Sequence, residues 1–178
     1  MAISVRDMVF AALFAAVLCA VAPFSFFIGP IPLSLATLVV YLAAGALDWK
    51  LSVLSVTLYV LMGAIGLPVF TGFEGGFHKI VGVTGGYIIG YIPCTMTIGA
   101  TLKTFGKKLW SYAFGMVIGT ILLYTCGTAW FMLQTGSSLI ASLALCVTPF
   151  LLGDTLKIVL ACITAPRLRS AMSRALRS

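Results

Sequence analysis

The chain has 178 residues, of which 61% are hydrophobic and only 8% are charged, with 11 lysines and arginines and four acidic residues. Soluble domains carry about 25% charged residues, so this composition excludes a cytosolic enzyme, a DNA-binding domain and a disordered tail. It predicts an integral membrane protein with one membrane domain over residues 1–178 and no room for a separate catalytic or nucleotide-binding domain.

Apolar stretches separated by glycine, proline and charged residues predict an all-α bundle of six transmembrane helices. In chain order the predicted spans are residues 7–28, 34–47, 51–66, 84–102, 109–133 and 148–165. A span needs about 20 apolar residues, so the second and third spans are short. Residues 137–146 predict a short extra helix at the membrane surface.

The basic residues lie mainly at the ends of the spans, which favours a topology signal over a nucleic-acid partner. Nine of them fall on one side of the six-span arrangement: Arg6, Lys50, Lys103, Lys107, Lys108, Arg167, Arg169, Arg174 and Arg177. Basic loops stay in the cytoplasm, so both termini are predicted to be cytoplasmic.

The tail, about residues 166–178, carries Leu168, Met172 and Leu176 four residues apart. This spacing predicts a basic amphipathic helix on the anionic cytoplasmic leaflet. The alternative is a frayed tail whose arginines only set the topology.

Small residues recur in the first span, where Ala12, Ala16 and Ala20 are four apart and Ala15 lies alongside. Faces of this kind let membrane helices approach closely. The alanines therefore pack either inside the bundle or against a separate subunit.

Few residues are available for catalysis, since the chain has no asparagine, one glutamine (Gln134) and one histidine (His78). A His-based metal site or a Ser-His-Asp triad needs more than this, and there is no Walker A sequence. We expect no enzyme activity, no metal and no cofactor. Uphill transport would have to draw its energy from a partner or an ion gradient.

The most informative polar residues are Asp154 and Lys157 in the sixth span. They are three apart and share a helix face, about 8 and about 12 Å from the start of the span near Pro149 at 1.5 Å per residue. Charges at that depth are costly and usually pair, face the bundle interior and mark a ligand path. The pair is either a small-ligand site open to the outside or a structural ion pair.

A Gly-rich loop over residues 66–77 precedes the sequence Thr84-Gly85-Gly86-Tyr87. Glycines allow the backbone to approach a ligand closely. The aromatic residues of this region are candidates for an apolar lid: Phe70, Phe73, Phe77 and Tyr87. Glu74, His78 and Lys79 are interpreted as a solvated face.

Several short sequence blocks, taken in chain order, resemble the BioY family, the biotin-binding S components of energy-coupling factor (ECF) transporters. They are residues 29–35 (GPIPLSL), 63–70 (GAIGLPVF), 84–87 (TGGY) and 149–158 (PFLLGDTLKI). The chain departs from the family pattern at Ala36, where glutamine is usual, and at Val83, where proline is usual.

The resemblance implies a substrate site and a face for the coupling subunit. The substrate-binding residues it implies are Asp154, Lys157, Tyr87, Gly85, Gly86, Thr84, Phe70, Pro32 and Ser34, and the partner-interface residues are Ala12, Ala15 and Ala16. The ureido ring of biotin, with two N–H donors and a carbonyl acceptor, suits Asp154 and Lys157. Lys79 or a backbone N–H is a candidate to bind the biotin carboxylate.

The function that the resemblance implies is high-affinity capture of biotin at the bacterial cytoplasmic membrane. The protein would associate with a transmembrane coupling subunit and two ATPases, and topple in the lipid to deliver the vitamin. Three alternatives stay open: an S component for another vitamin such as thiamin or riboflavin, a small membrane enzyme acting on lipids, and a membrane scaffold.

Overall fold

The computed structural model describes residues 4–27 and 32–175. Helices dominate this part of the chain: α1 (Val5–Val21), α2 (Ala36–Ala46), α3 (Trp49–Ala64), α4 (Phe77–Val81), α5 (Gly85–Phe105), α6 (Leu109–Thr135), α7 (Leu139–Cys146) and α8 (Leu151–Ala175). A 3₁₀ turn, Thr148–Phe150, leads into α8. The short helix predicted over residues 137–146 is confirmed by α7, whose N-terminus is capped by the Ser138 hydroxyl.

The first predicted span is too long, because α1 ends at Val21. Pro23 follows two residues later, and proline both lacks an N–H donor and disfavours a helical conformation in the residue before it. The chain continues instead into strand β1 (Ser25–Phe27), which pairs antiparallel with β2 (Pro32–Ser34). Strands of three residues leave no periodic signal in a sequence, so this hairpin was not predicted.

Two further elements differ from the predicted boundaries. The short helix α4 interrupts the loop between the third and fourth predicted spans. The sixth predicted span and the predicted tail form one helix, since α8 passes through Pro166 and runs to Ala175. Proline is tolerated in membrane helices where nearby groups satisfy the freed carbonyls. Leu176 and Arg177 lie outside the described residues.

Helix α2 lies at the centre of the bundle and packs against α1, α3, α5 and α8, while α5 and α6 pack along each other. Val40 and Tyr41 of α2 are completely buried. The Tyr41 hydroxyl forms a 2.6 Å hydrogen bond with Thr120 Oγ1 of α6. Close approach of α2 to α8 depends on Gly45, because a Cβ there would lie 2.6 Å from the Ala165 Cβ.

Two helical stretches of the described chain, Leu109–Thr135 and Leu139–Arg174, are long and apolar enough to cross a membrane. Helices α2 and α3 are apolar but shorter. Many large apolar side chains face outward, among them Leu133, Ile140 and Leu152, each more than 80% exposed. Such a surface suits a lipid environment.

Candidate functional site

A cavity of about 300 Å³ lies inside the bundle, beneath the loop that joins α3 to α5. Its volume is in the range of small-molecule sites. The polar and aromatic residues that line it come from most of the bundle: Ser34, Thr37, Tyr59, Phe70, Thr71, Glu74, His78, Lys79, Thr84, Tyr87, Tyr91, Tyr124, Phe150, Asp154 and Lys157.

Asp154 and Lys157 form a buried ion pair in this cavity. Lys157 Nζ lies 2.8 Å from Asp154 Oδ1, and the two residues are only 7% and 5% exposed. Asp154 sits in the first turn of α8, where the positive end of the helix dipole favours a carboxylate. The side chains share a face because they are three residues apart, as the sequence predicted.

The Lys157 ammonium is fully hydrogen-bonded. Besides Asp154, it donates to Thr37 Oγ1 and to the Ser34 carbonyl, each at 2.8 Å. An ammonium has three N–H donors, and these three contacts use them all. The β2–α2 junction therefore fixes the position of the Lys157 ammonium beside Asp154.

The Asp154 carboxylate is held from two sides. Oδ1 accepts from Lys157 and lies 3.4 Å from Thr37 Oγ1, while Oδ2 accepts the Tyr124 hydroxyl at 2.6 Å. Thr37 and Tyr124 were not predicted from the sequence. A threonine and a tyrosine within apolar helices give no motif, and only the packing of α2 and α6 against α8 brings them to the carboxylate.

Aromatic rings form the apolar wall of the cavity. Phe70 is 2% exposed and meets the Tyr59 ring edge-on, with centroids 5.6 Å apart. Tyr91 lies beyond Tyr59 at 6.5 Å. The other two aromatic residues proposed for a lid, Phe73 and Phe77, are 59% and 66% exposed and do not line the cavity.

Tyr87 closes the cavity on the side of α7. Its hydroxyl donates to the Cys146 carbonyl at 3.0 Å. The ring lies against Gly127 of α6, where a Cβ would come within 2.3 Å of it. Thr84, the residue before α5, also lines the cavity.

Comparison with known proteins identifies the family. The family model described as the BioY family matches residues 1–174. The chain belongs to the BioY family. It is 35% identical over 165 residues to "Biotin transporter BioY" of Thermotoga maritima, covering 92% of this chain and 96% of that protein. It is 36% identical over 164 residues to "Probable biotin transporter BioY" of Pyrococcus horikoshii, with the same two coverages.

A solved structure resembles the whole bundle. The S component for biotin from an ECF-type ABC transporter superposes with a TM-score of 0.86 at 26% sequence identity, covering 93% of this chain and 92% of that one. The BioY resemblance inferred from the ordered sequence blocks is thereby confirmed.

Not every residue that the BioY resemblance implied reaches the cavity. Gly85 and Gly86 are buried but lie outside its lining. A Cβ on Gly85 would meet the Ile80 carbonyl oxygen at 1.6 Å, and one on Gly86 would meet Trp130 Cβ at 2.3 Å. Both glycines therefore serve close helix packing. Pro32 lies in β2, and its side chain is outside the described part of the structure.

The charged residues of the α3–α5 loop belong to the cavity and not simply to a solvated face. Glu74, His78 and Lys79 all line it. Lys79 Nζ forms an ion pair with Glu74 Oε2, and the two side chains are 31% and 49% exposed. Among residues 4–27 and 32–175, no three His, Cys, Asp or Glu side chains are grouped as metal ligands would be.

The structure divides the alanines of α1. Ala12 and Ala16 are exposed, whereas Ala15 is 4% exposed and faces the bundle, as does Ala11. Ala15 is therefore placed to pack inside the bundle. Only Ala12 and Ala16 of the three predicted residues are available to an outside partner.

Proposed function

We propose that the protein is the substrate-binding subunit of an ECF-type transporter and that it captures biotin from outside the cell. It is a transporter component and not an enzyme. The observation that carries the proposal is the buried Asp154–Lys157 pair at a cavity of about 300 Å³ in a chain of the BioY family. Membership of this family disfavours a role in taking up thiamin or riboflavin.

The ureido ring of biotin is assigned to the Asp154 end of the cavity. Asp154 can accept further hydrogen bonds from the two N–H donors of the ring. Lys157 or Tyr124 would donate to the ring carbonyl by exchanging one of its present acceptors for it. The donors and acceptors are already oriented by one another, which lowers the cost of ordering them on binding. Burial makes each hydrogen bond more valuable than at a surface.

The thiophane ring and valeryl chain are assigned to the apolar wall of Phe70, Tyr59 and Tyr91. Small-molecule sites commonly combine such a wall with a few placed polar groups. The Ser34 carbonyl accepts from Lys157 and fixes its position, while the Ser34 hydroxyl accepts from the Ala36 N–H at 3.0 Å. Thr84 and Tyr87 lie along the same cavity.

The biotin carboxylate is assigned to Lys79. This lysine lines the cavity and is partly exposed, and its carboxylate partner Glu74 comes from the same loop. A ligand carboxylate offers Lys79 the same type of contact as Glu74. Exchange between the two would let the loop adjust as the ligand enters.

Six transmembrane spans are proposed, formed by α1, α2, α3, α5, α6 and α8, with both termini in the cytoplasm. The positive-inside rule supports this orientation, because most of the lysines and arginines lie at one end of the bundle. They are Lys50 at the start of α3, Lys103, Lys107 and Lys108 around the α5–α6 link, and the arginines of the α8 tail. The cavity then opens to the outside. The protein would be a multi-pass protein of the bacterial cytoplasmic membrane, with residues 166–178 as its cytoplasmic tail.

Energy for uptake is assigned to partner proteins, since the sequence carries no Walker A motif. A transmembrane coupling subunit would bind the exposed alanines Ala12 and Ala16, and two ATPase subunits would complete the transporter. Exposed small residues four apart allow the close helix contact that such a partner needs.

Competition binding tests the proposal. Purified protein is incubated with radiolabelled biotin and an excess of unlabelled biotin, thiamin or riboflavin. The expected result is saturable binding that only biotin displaces. Displacement by thiamin or riboflavin at a similar concentration, or no saturable binding, would overturn the assignment of the substrate.

A further inference from the structure

A second cleft lies at the opposite end of the bundle from the biotin cavity. It has a volume of about 360 Å³ and is formed where the α2–α3 link, the end of α5, the α5–α6 link and the C-terminal part of α8 meet. The residues that give it its chemistry are Asp48, Trp49, Lys103, Gly106, Lys107 and Arg169. This cleft plays no part in the proposed binding of biotin.

The cleft carries an excess of positive charge. Lys103, Lys107 and Arg169 line it, and Asp48 is its single acidic residue. The Asp48 carboxylate is already engaged, because its Oδ1 pairs with the Arg169 guanidinium. An anion that enters would therefore meet two further cations and no free carboxylate.

Arg169 is fixed in place by the backbone of α2. Its Nη1 donates to the Leu47 carbonyl at 2.9 Å and lies 3.4 Å from the Gly45 carbonyl. With Nη2 on Asp48, these contacts use three of the five guanidinium N–H donors, so donors remain for another acceptor. A guanidinium held in this way suits the oxygens of a phosphate.

Lys107 stands close enough to Arg169 for the two charges to oppose each other. Burial and then the Arg169 charge lower the pKa of Lys107, while Asp48 raises it less. A bound anion would relieve this repulsion. The N-terminus of α6 begins just beyond, at Leu109, and the residue before it is Lys108, whose side chain provides no cap for the helix.

One side of the cleft is apolar. Lys103 Nζ lies 5.7 Å from the centre of the Trp49 ring, and the other apolar residues of the lining are Ala44, Leu47, Gly99 and Leu102. A basic group beside a tryptophan at the end of a membrane bundle matches the headgroup layer, where phosphate and acyl chain meet. A free phosphate ion would make no use of the apolar side.

We propose that this cleft binds the phosphate of an anionic phospholipid, held by Lys103, Lys107 and Arg169, with the lipid chain against Trp49. Lipid bound at this site would attach one end of the bundle, the end with the basic loops, to an anionic leaflet. Binding of this lipid is separate from the uptake of biotin and does not require it.

Lipid retention measured by native mass spectrometry tests the site. Full-length purified protein is titrated with phosphatidylglycerol or phosphatidylcholine, with and without inorganic phosphate. The test variant is Lys103→Gln/Lys107→Gln. The matched control is Lys108→Gln/Arg167→Gln, which removes the same charge from exposed positions outside the cleft lining. It leaves Lys50 in place, because the Lys50 Nζ also lies 5.7 Å from the centre of the Trp49 ring. Biotin binding by each variant reports separately on folding.

The expected result is one tightly retained phosphatidylglycerol that the test variant holds about 10-fold more weakly and the control variant holds as wild type does. Phosphatidylcholine should be retained far less. Equal losses in both variants, or equal retention of both lipids, would overturn the site. Full displacement by inorganic phosphate would identify a free-anion site instead and overturn the lipid assignment. Unchanged lipid retention by the test variant would also overturn the lipid site. It would indicate that the two lysines bind an acidic segment of a partner protein.

Discussion

Tyr124 of α6 donates its hydroxyl to Oδ2 of Asp154 in α8 at 2.6 Å. The other carboxylate oxygen is 2.8 Å from Lys157 Nζ, so a residue of α6 and a residue of α8 each hold one oxygen of the buried carboxylate. This arrangement fixes the orientation of the acceptor that we assign to the ureido ring of biotin. It also makes Tyr124 part of the site, although no sequence motif includes it.

Replacing Tyr124 with phenylalanine should weaken biotin binding by roughly 10- to 100-fold. The reason is the loss of a hydrogen bond to a charged, buried group, which is worth about 1.5–3 kcal/mol. Equilibrium binding of radiolabelled biotin measures the effect. Tyr112→Phe is the matched control, because Tyr112 is also buried but its hydroxyl lies 3.5 Å from the Gly45 carbonyl, far from the cavity. Identical affinities for the two variants would exclude a role for the Tyr124 hydroxyl.

Lys79→Gln should weaken the binding of biotin by about 5-fold but leave the binding of biotin amide unchanged, because the amide has no carboxylate to pair with the lysine. The magnitude is modest since a partly exposed ion pair is worth at most about 1 kcal/mol. Glu74→Gln should act in the opposite direction and tighten biotin binding slightly by freeing Lys79. If each variant changes the two ligands equally, the carboxylate binds elsewhere.

Ala12→Trp and Ala16→Trp should block assembly with the coupling subunit and spare biotin binding, because both alanines are exposed on α1. Co-purification of the complex and biotin binding are measured on the same preparations. Ala15→Trp is the contrasting variant: Ala15 is 4% exposed, so a bulky side chain there should lower the Tm of the isolated protein. Loss of biotin binding with intact assembly in the Ala12 variant would place that face inside the bundle.

These placements show where the sequence was sufficient and where it was not. Hydropathy located the helical segments, and the spacing of Asp154 and Lys157 predicted their shared face. The end of α1 was missed, although Pro23 marks it, because apolar residues continue beyond the proline. The partners of the ion pair were missed because Thr37 and Tyr124 come from distant helices.

The glycines show a different limit. Gly85 and Gly86 belong to a family block, so they were assigned to the ligand, yet the structure uses them where α5 passes Ile80 and Trp130. A sequence shows that a glycine is needed but not whether a ligand or another helix approaches it. Glu74 and Lys79 show the converse, since they were interpreted as a solvated face and, although partly exposed, they also line the cavity.

The C-terminal part of α8 should bind an anionic lipid surface. Met172 packs beside the buried cluster of Ala11, Leu47 and Leu51, whereas Ala171 is exposed. After replacement of Cys19 and Cys126, the cysteines that are not buried, spin labels are placed at Ala171 and Met172 in liposomes. The label at position 171 should lose mobility only when anionic lipid is present, and the label at 172 should be restricted in both lipids. Equal mobility at 171 in both lipids would show that the tail does not bind the anionic leaflet.

The most direct test of the central claim is equilibrium binding of radiolabelled biotin to purified wild type, Asp154→Asn, Lys157→Met and the double variant. Breaking a buried pair costs about 3–5 kcal/mol, so each single variant should be less stable. Each variant also lacks a charged group that is assigned to the ureido ring, so it should bind biotin about 100-fold more weakly. The double variant leaves no unpaired charge and should regain stability, but it should still fail to bind biotin. A double variant that binds biotin as wild type does would show that Asp154 and Lys157 form only a structural ion pair and would exclude them from the biotin site.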